Sequence, residues 1–234
     1  MPYRRLPKTD SARIKALKTL LDNNDIYTAR GRFISWDSIS RAQPACDRLL
    51  TATQQYGVTL QAQTRHTRKL AKLQRSATMY VSHFLQVLLM SVERGEIKAS
   101  QLELYGLNGD ARVLPNIKTI EGLIEWGRKT IDGEKARLKK GGRPIYNPTL
   151  AMVETHYDLF VAANDQQRLQ LERTRQAHDT LVRLRPEVDE ILLDLWNQIE
   201  VHFADEPWKE RVEHCSKYGV VYYNRKGEGK ESEK

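Results

Sequence analysis

The chain has 234 residues and a formal net charge of +8; 40% of it is hydrophobic and 29% charged. That is enough apolar content for a packed core and too much for a wholly disordered chain. No run approaches the roughly 18 uninterrupted apolar residues of a membrane-spanning helix, so no membrane partner is expected.

The basic start, Met1-Pro2-Tyr3-Arg4-Arg5, is not followed by the apolar stretch of an export signal. The two cysteines, Cys46 and Cys215, make no disulfide framework. Both are read as reduced, which places the chain in the cytoplasm.

Taken in order, Thr9-Asp10 can cap a first helix over residues 10–23, with Ile14, Leu17, Leu20 and Leu21 on one face. A loop with Gly31-Arg32-Phe33-Ile34 comes next. Ser35 or Asp37 then starts a very long helical pattern that runs to Arg94, with Pro44 near its beginning and Gly95 as its stop. Its buried stripe reads Leu49, Thr53, Tyr56, Leu60, Leu70, Leu73, Ala77, Tyr80, Val81, Phe84 and Leu88.

Residues 98–105 predict a short helix closed by Gly106. A helix over 117–139 carries Ile120, Leu123, Ile124 and Ile131, and Gly133 could end it early. Gly141-Gly142-Arg143-Pro144 is a clear break. Asn147-Pro148 predicts an N-cap followed by proline at the first helical position. That pattern continues to Ala204, with Pro186 as a kink or restart. A last short helix covers 207–217, Val220-Val221-Tyr222-Tyr223 reads as extended, and the polar tail 224–234 as disordered.

The two long patterns match at an offset of 111 residues. Gly31-Arg32-Phe33-Ile34 falls on Gly142-Arg143-Pro144-Ile145, and Lys18-Thr19-Leu20 on Lys129-Thr130-Ile131. Ala77, Val81, Phe84 and Leu88 fall on Val188, Leu192, Leu195 and Ile199. With a drift of two, Tyr105-Gly106-Leu107 meets Tyr218-Gly219-Val220. Apolar matches between helices in phase carry little weight. The glycine-containing loop and the Tyr-Gly ends are not helix-periodic, and they agree with the same alignment. The expectation is a tandem duplication: unit 1 over 1–110, and unit 2 over 111–223 packed on it about a pseudo-two-fold axis. A helix of about 55 residues spans roughly 80 Å, so a break near Arg65–Lys72 and another near Pro186 are the alternative.

Charge is uneven: +5 over 1–34, +5 over 35–94, +3 over 95–147, −5 over 148–204 and 0 over 205–234. The densest basic run on a helix is Arg65, Arg68, Lys69, Lys72 and Arg75, and a second cluster is Lys139, Lys140 and Arg143. Either could track a phosphate backbone. The first reads more readily as a solvated face or as the partner of Glu187, Asp189, Glu190 and Asp194. No helix-turn-helix, zinc-finger or basic-zipper pattern accompanies the runs.

The six histidines make neither a Glu-x-x-His pair nor a His-Glu-x-x-His motif. No catalytic residue, cofactor or metal site is expected. Trp126 and Trp196 read as core. Tyr218, Tyr222 and Tyr223 read as an exposed edge or as a cover for the end of the bundle.

Met1-Pro2-Tyr3-Arg4-Arg5-Leu6-Pro7, Tyr80 to Leu88 (Tyr-Val-Ser-His-Phe-Leu-Gln-Val-Leu), Pro144-Ile145-Tyr146-Asn147-Pro148-Thr149 and Tyr218-Gly219-Val220-Val221-Tyr222-Tyr223 together resemble a family of helical proteins from Bacteroidetes-type bacteria. The resemblance covers nearly the whole chain. It implies a bacterial, soluble, helical protein and carries no functional residue.

The sequence therefore predicts an all-α, elongated helical bundle of two tandem units. It reads as a non-enzymatic scaffold or protein-interaction module, with a protein partner or self-association. The alternative is a nucleic-acid-binding protein that uses the basic residues named above.

Overall fold

The computed structural model describes residues 2–28, 32–109 and 113–224. Gly31, used in the 111-residue alignment, and the tail beyond Asn224 lie outside the described residues. The described chain is mostly helical: β1 (Tyr3–Arg4), α1 (Asp10–Leu21), a 3₁₀ segment (Asn24–Tyr27), α2 (Trp36–Glu93), a second 3₁₀ segment (Ala99–Tyr105), α3 (Ile120–Lys139), α4 (Leu150–His202), α5 (Trp208–Lys217) and β2 (Tyr222–Tyr223).

The start signals work locally. Thr9 Oγ1 accepts the Ala12 N–H at 3.3 Å to cap α1, and Thr119 Oγ1 accepts the Gly122 N–H at 3.0 Å to cap α3. Ser35, not Asp37, caps α2: its Oγ accepts the Ser38 N–H at 3.1 Å. Gly133 does not shorten α3, which runs on to Lys139.

The N-cap expected at Asn147 is corrected. Residues Tyr146 and Thr149 form a β-bridge that encloses Pro148 in a turn, and α4 begins at Leu150. Thr149 takes the capping role, accepting the Met152 N–H on its side chain and the Val153 N–H on its carbonyl. Asn147 has the favoured residue type, but the turn leaves it two positions too early.

Neither long helix breaks. α2 passes through Arg65–Lys72, and α4 passes through Pro186. A proline inside a helix removes the bond to the carbonyl four residues back. For Pro44 and Pro186 those carbonyls belong to Ser40 and Val182, both exposed residues, so water can satisfy them.

The chain forms two compact units, which differ from the division expected at 110/111. The first takes the chain up to Leu60 and resumes at Arg173; the second is Gln61–Glu172. The physical reason lies in the uninterrupted helices. A helix of 58 residues presents more apolar stripe than its own neighbours in sequence can cover, so each unit takes part of both long helices.

In the first unit, α1, the start of α2, the end of α4 and α5 enclose a core around Leu17, Ile34, Leu49, Leu195, Trp196 and Ile199. β1 pairs antiparallel with β2, Tyr3 opposite Tyr223 and Arg4 opposite Tyr222. The Tyr222–Tyr223 segment is therefore paired on one side, and Tyr223 stays 45% exposed. Arg4 reaches on to Glu200 at 2.9 Å and Asn197 at 2.8 Å.

The acids expected to face the 65–75 run take other partners. Glu187 pairs with Arg48, Glu190 with Arg41 and Asp189 with Arg13, and Asp194 accepts from Ser38 and Gln198. Arg13 and Asp189 form a two-bond fork at 2.7 and 2.8 Å, and Arg185 forms another on Asp10 at 2.9 and 2.8 Å. Forked guanidinium–carboxylate pairs fix orientation as well as charge.

In the second unit, the end of α2, the second 3₁₀ segment, α3 and the start of α4 enclose a separate core around Ala77, Val81, Phe84, Leu88, Leu123, Ile131 and Phe160. Trp126 is partly buried against this core, with the Lys129 ammonium 4.3 Å from its ring centre.

Candidate functional site

The second unit carries the features that could recognise a partner. The first is a cleft of about 680 Å³ built from three pieces: the C-terminal turn of α2 (Ser91, Arg94), the segment Glu96 to Gln101, and the loop Gly141 to Tyr146 between α3 and α4. Each piece has a local cause. Gly95, at φ +76°, ends α2, and the Glu96 and Ile97 N–H groups both donate to the Ser91 carbonyl. Arg94 clasps Glu96 at 2.7 and 3.0 Å and donates to Ser91 Oγ at 3.2 Å. This guanidinium holds the Glu96 carboxyl below its usual range. Gly141, at φ +84°, ends α3.

A polar group buried in the unit holds the α3–α4 loop in place. Tyr105, Glu134 and Arg137 are each at most 2% exposed. The Tyr105 hydroxyl donates to Glu134 Oε2. Arg137 donates from Nε to Glu134 Oε2 at 2.9 Å and to the Tyr105 oxygen at 3.0 Å, and from Nη2 to Glu134 Oε1 at 2.7 Å. Its Nη2 also donates to the Arg143 carbonyl at 2.7 Å, and the Ile145 N–H donates to Glu134 Oε1 at 3.4 Å.

Two glycines make room for this arrangement. A Cβ on Gly133 would stand 2.6 Å from the Tyr105 ring, and one on Gly142 would stand 2.6 Å from Arg137 Nη1. Burial, reinforced by the Glu134 carboxylate, pushes the Tyr105 phenol far above its ordinary value. Burial works against the Arg137 charge, but the bonds to Glu134 and Tyr105 outweigh it and the guanidinium stays charged.

Sequence reasoning missed this group. Its one local signal is the spacing of Glu134 and Arg137, one helical turn apart. Nothing in a single sequence places Tyr105, 29 positions upstream, over them.

The expected basic residues separate into three places. Arg143 lines the cleft. Lys139 and Lys140 are exposed at the end of α3 and do not line it. Arg65, Arg68, Lys69, Lys72 and Arg75 are all exposed on α2 and make no ion pair with any described residue. At 100° per residue they fall within roughly a 120° arc.

Beside them runs a groove of about 190 Å³, lined by His66, Lys69 and Leu73 of α2 and by Leu159, Ala162, Ala163 and Gln166 of α4. It is almost wholly apolar. Met152 and Leu159, seven residues apart on one helical stripe of α4, stand 43% and 49% exposed.

Among the described residues no group of three or more His, Cys, Asp or Glu side chains could hold a metal ion. No described helix is long and apolar enough to cross a membrane. No family model matches the chain, and neither a curated protein nor a solved structure gives a match.

Proposed function

We propose that the protein is a non-enzymatic, bacterial, cytoplasmic interaction module whose docking face lies on the second unit. The observation that carries this reading is the pairing on one unit of an exposed apolar groove with a row of five cations that make no ion pair among the described residues. Apolar residues in a groove supply the anchor, and flanking charge supplies orientation and encounter rate. The partner that fits is an acidic protein segment with an apolar stripe.

The scaffold itself is read as a duplicated helical unit. Several matched features support this. Gly106 and Gly219 both adopt positive φ, at +68° and +85°. Around each, the same two bonds recur: the Gly106 and Leu107 N–H groups donate to Glu103 and Leu102, as those of Gly219 and Val220 do to Ser216 and Cys215. Tyr105 donates to a carboxylate, Glu134, and Tyr218 to another, Asp25. The pairs Ala42/Val153, Leu49/Phe160, Phe84/Leu195 and Leu88/Ile199, all 111 apart, are all at most 1% exposed. In this reading each compact unit combines the first helix of one copy with the closing helix of the other.

A test is a photo-crosslinking residue at Leu159 in cells, with captured proteins identified by mass and their affinity measured against L159E and R68E/K72E. Capture of an acidic protein whose binding falls at least about tenfold in both variants supports the proposal. Absence of any crosslink, or binding indifferent to both changes, overturns it.

A nucleic-acid reading is favoured by one observation: Arg65, Arg68, Lys72 and Arg75 are spaced to follow a backbone of phosphates along one exposed helix face. Gel-shift titration with duplex and single-stranded DNA at two salt concentrations separates the readings. Steeply salt-dependent binding that is lost in R65A/R68A/K69A/K72A assigns the face to nucleic acid.

A further inference from the structure

We propose that the cleft of the second unit, bounded by Ser91, Lys98, Gly142 and Arg143, binds the phosphate group of a small organic phosphomonoester. This site is separate from the docking face on α2 and α4.

Arg137 anchors the cleft. Its guanidinium is 2% exposed, and both Nε and Nη2 are committed to Glu134, Tyr105 and the Arg143 carbonyl. Nη1 has no partner among the described residues and is not fully enclosed, and Arg137 lines the cleft. A buried cation held rigidly by its own carboxylate therefore offers one open nitrogen to the cleft. Such an arm is preorganised: its orienting bonds are already made before a ligand arrives.

Charge sets the class of ligand. Glu134 is committed to Arg137, and Glu96 to Arg94. Lys98 and Arg143 also line the cleft and are exposed, and neither has an ion-pair partner among the described residues. The cleft thus carries two uncompensated positive charges around a guanidinium nitrogen, matching a dianion. Phosphate monoesters are dianionic near neutral pH, and arginine and lysine are their usual donors.

Size and lining argue for an ester over the free ion. The volume of about 680 Å³ far exceeds one phosphate group, and Val87, Ile97, Pro144 and Ile145 supply an apolar wall for an organic body. Tyr146, 77% exposed, stands beside that wall.

The first unit offers an internal contrast. There Tyr218 donates to Asp25 at 3.4 Å, and among the described residues no arginine shares that carboxylate.

The test is calorimetric titration of the full chain with phenyl phosphate, inorganic phosphate and phenol, alongside amide chemical-shift mapping. Saturable binding of phenyl phosphate is expected, several-fold tighter than inorganic phosphate, with shifts at Ser91, Ile97 and Gly142. K98A/R143A changes exposed residues only, so it should fold normally and weaken binding at least about tenfold. G142A should also weaken binding, because its methyl would displace Arg137 Nη1. Unchanged affinity in K98A/R143A, shifts confined to the 65–75 face, or no saturable binding at millimolar concentration would each overturn the site. Equal affinity for inorganic phosphate would overturn the ester assignment.

Discussion

Glu134 and Arg137 stand one turn apart on α3, 1% and 2% exposed in their side chains, joined by hydrogen bonds of 2.7 and 2.9 Å. Such a pair gains little net stability over an apolar replacement, because both charges give up their water. Breaking it is a different matter: the surviving charge stays buried with no counterion. R137M should therefore cost about 3–5 kcal/mol, read as a lowered urea midpoint. E134M/R137M should recover part of that loss, since the Tyr105 hydroxyl, the Ile145 N–H and the Arg143 carbonyl still lose their partners. A double variant no more stable than R137M would show that the pair is not the source of the cost.

The phenols in the protein predict a loss of stability in alkali. Burial, then the neighbouring Glu134 carboxylate, raises Tyr105 above its ordinary value; burial, then Glu200, does the same for Tyr222. Unfolded tyrosine ionises at about pH 10, while both phenols in the fold hold their protons to higher pH. Their contribution is complete below about pH 10 and declines as pH rises beyond it. Thermal melts from pH 8 upward should fall steeply past pH 10 in the native protein and less steeply in Y105F/Y222F. Parallel profiles for the two proteins would rule the phenols out as the cause.

Much of the local structure was legible because its causes are local. Thr9 caps the helix that begins at Asp10, Ile14 to Leu21 repeat at helical spacing, and Gly106 and Gly219 close helical segments as their conformational freedom suggests. The stripe from Leu70 to Leu88 is buried at most of the positions the period selects, and Leu60, at 41% exposed, departs from it. What sequence could not supply is the identity of the cover. Asp189 is an ordinary acid on a helix until Arg13, 176 positions away, forks onto it. The division into compact units escaped for the same reason, since it depends on which segment of each long helix meets which neighbour. Asn147 misled because the turn around Pro148 moves the helix start to Leu150. In the site, Arg143 was visible as a loop cation, whereas nothing local marks Arg137, inside α3, as buried against Tyr105.

The two thiols should be inert in the native protein. Cys46 and Cys215 are free, 2% and 0% exposed, and burial raises both above the ordinary thiol value. Reaction requires an exposed thiolate, and burial suppresses both conditions. Iodoacetamide at pH 8 should modify neither thiol until denaturant is added, after which both react. Rapid modification of one in the absence of denaturant would mean that its surroundings open far more readily than the packed core implies.

Phe84 and Leu195 are each fully buried, but in separate cores: Phe84 packs in the group around Val81, Ile131 and Phe160, and Leu195 in the group around Leu17, Leu49 and Cys215. Truncating either removes transfer free energy and leaves a cavity, about 3–5 kcal/mol for F84A and 2–5 for L195A. Sites that share no neighbours add to within about 0.5 kcal/mol, so the double variant should lose the sum of the two. Amide exchange gives the sharper reading. F84A should release protection first at Val81, Leu85 and Phe160, whereas L195A should release it first at Leu17, Leu49 and Leu192. Equal loss across both groups in either variant would mean that the cores open as one cooperative body rather than one at a time.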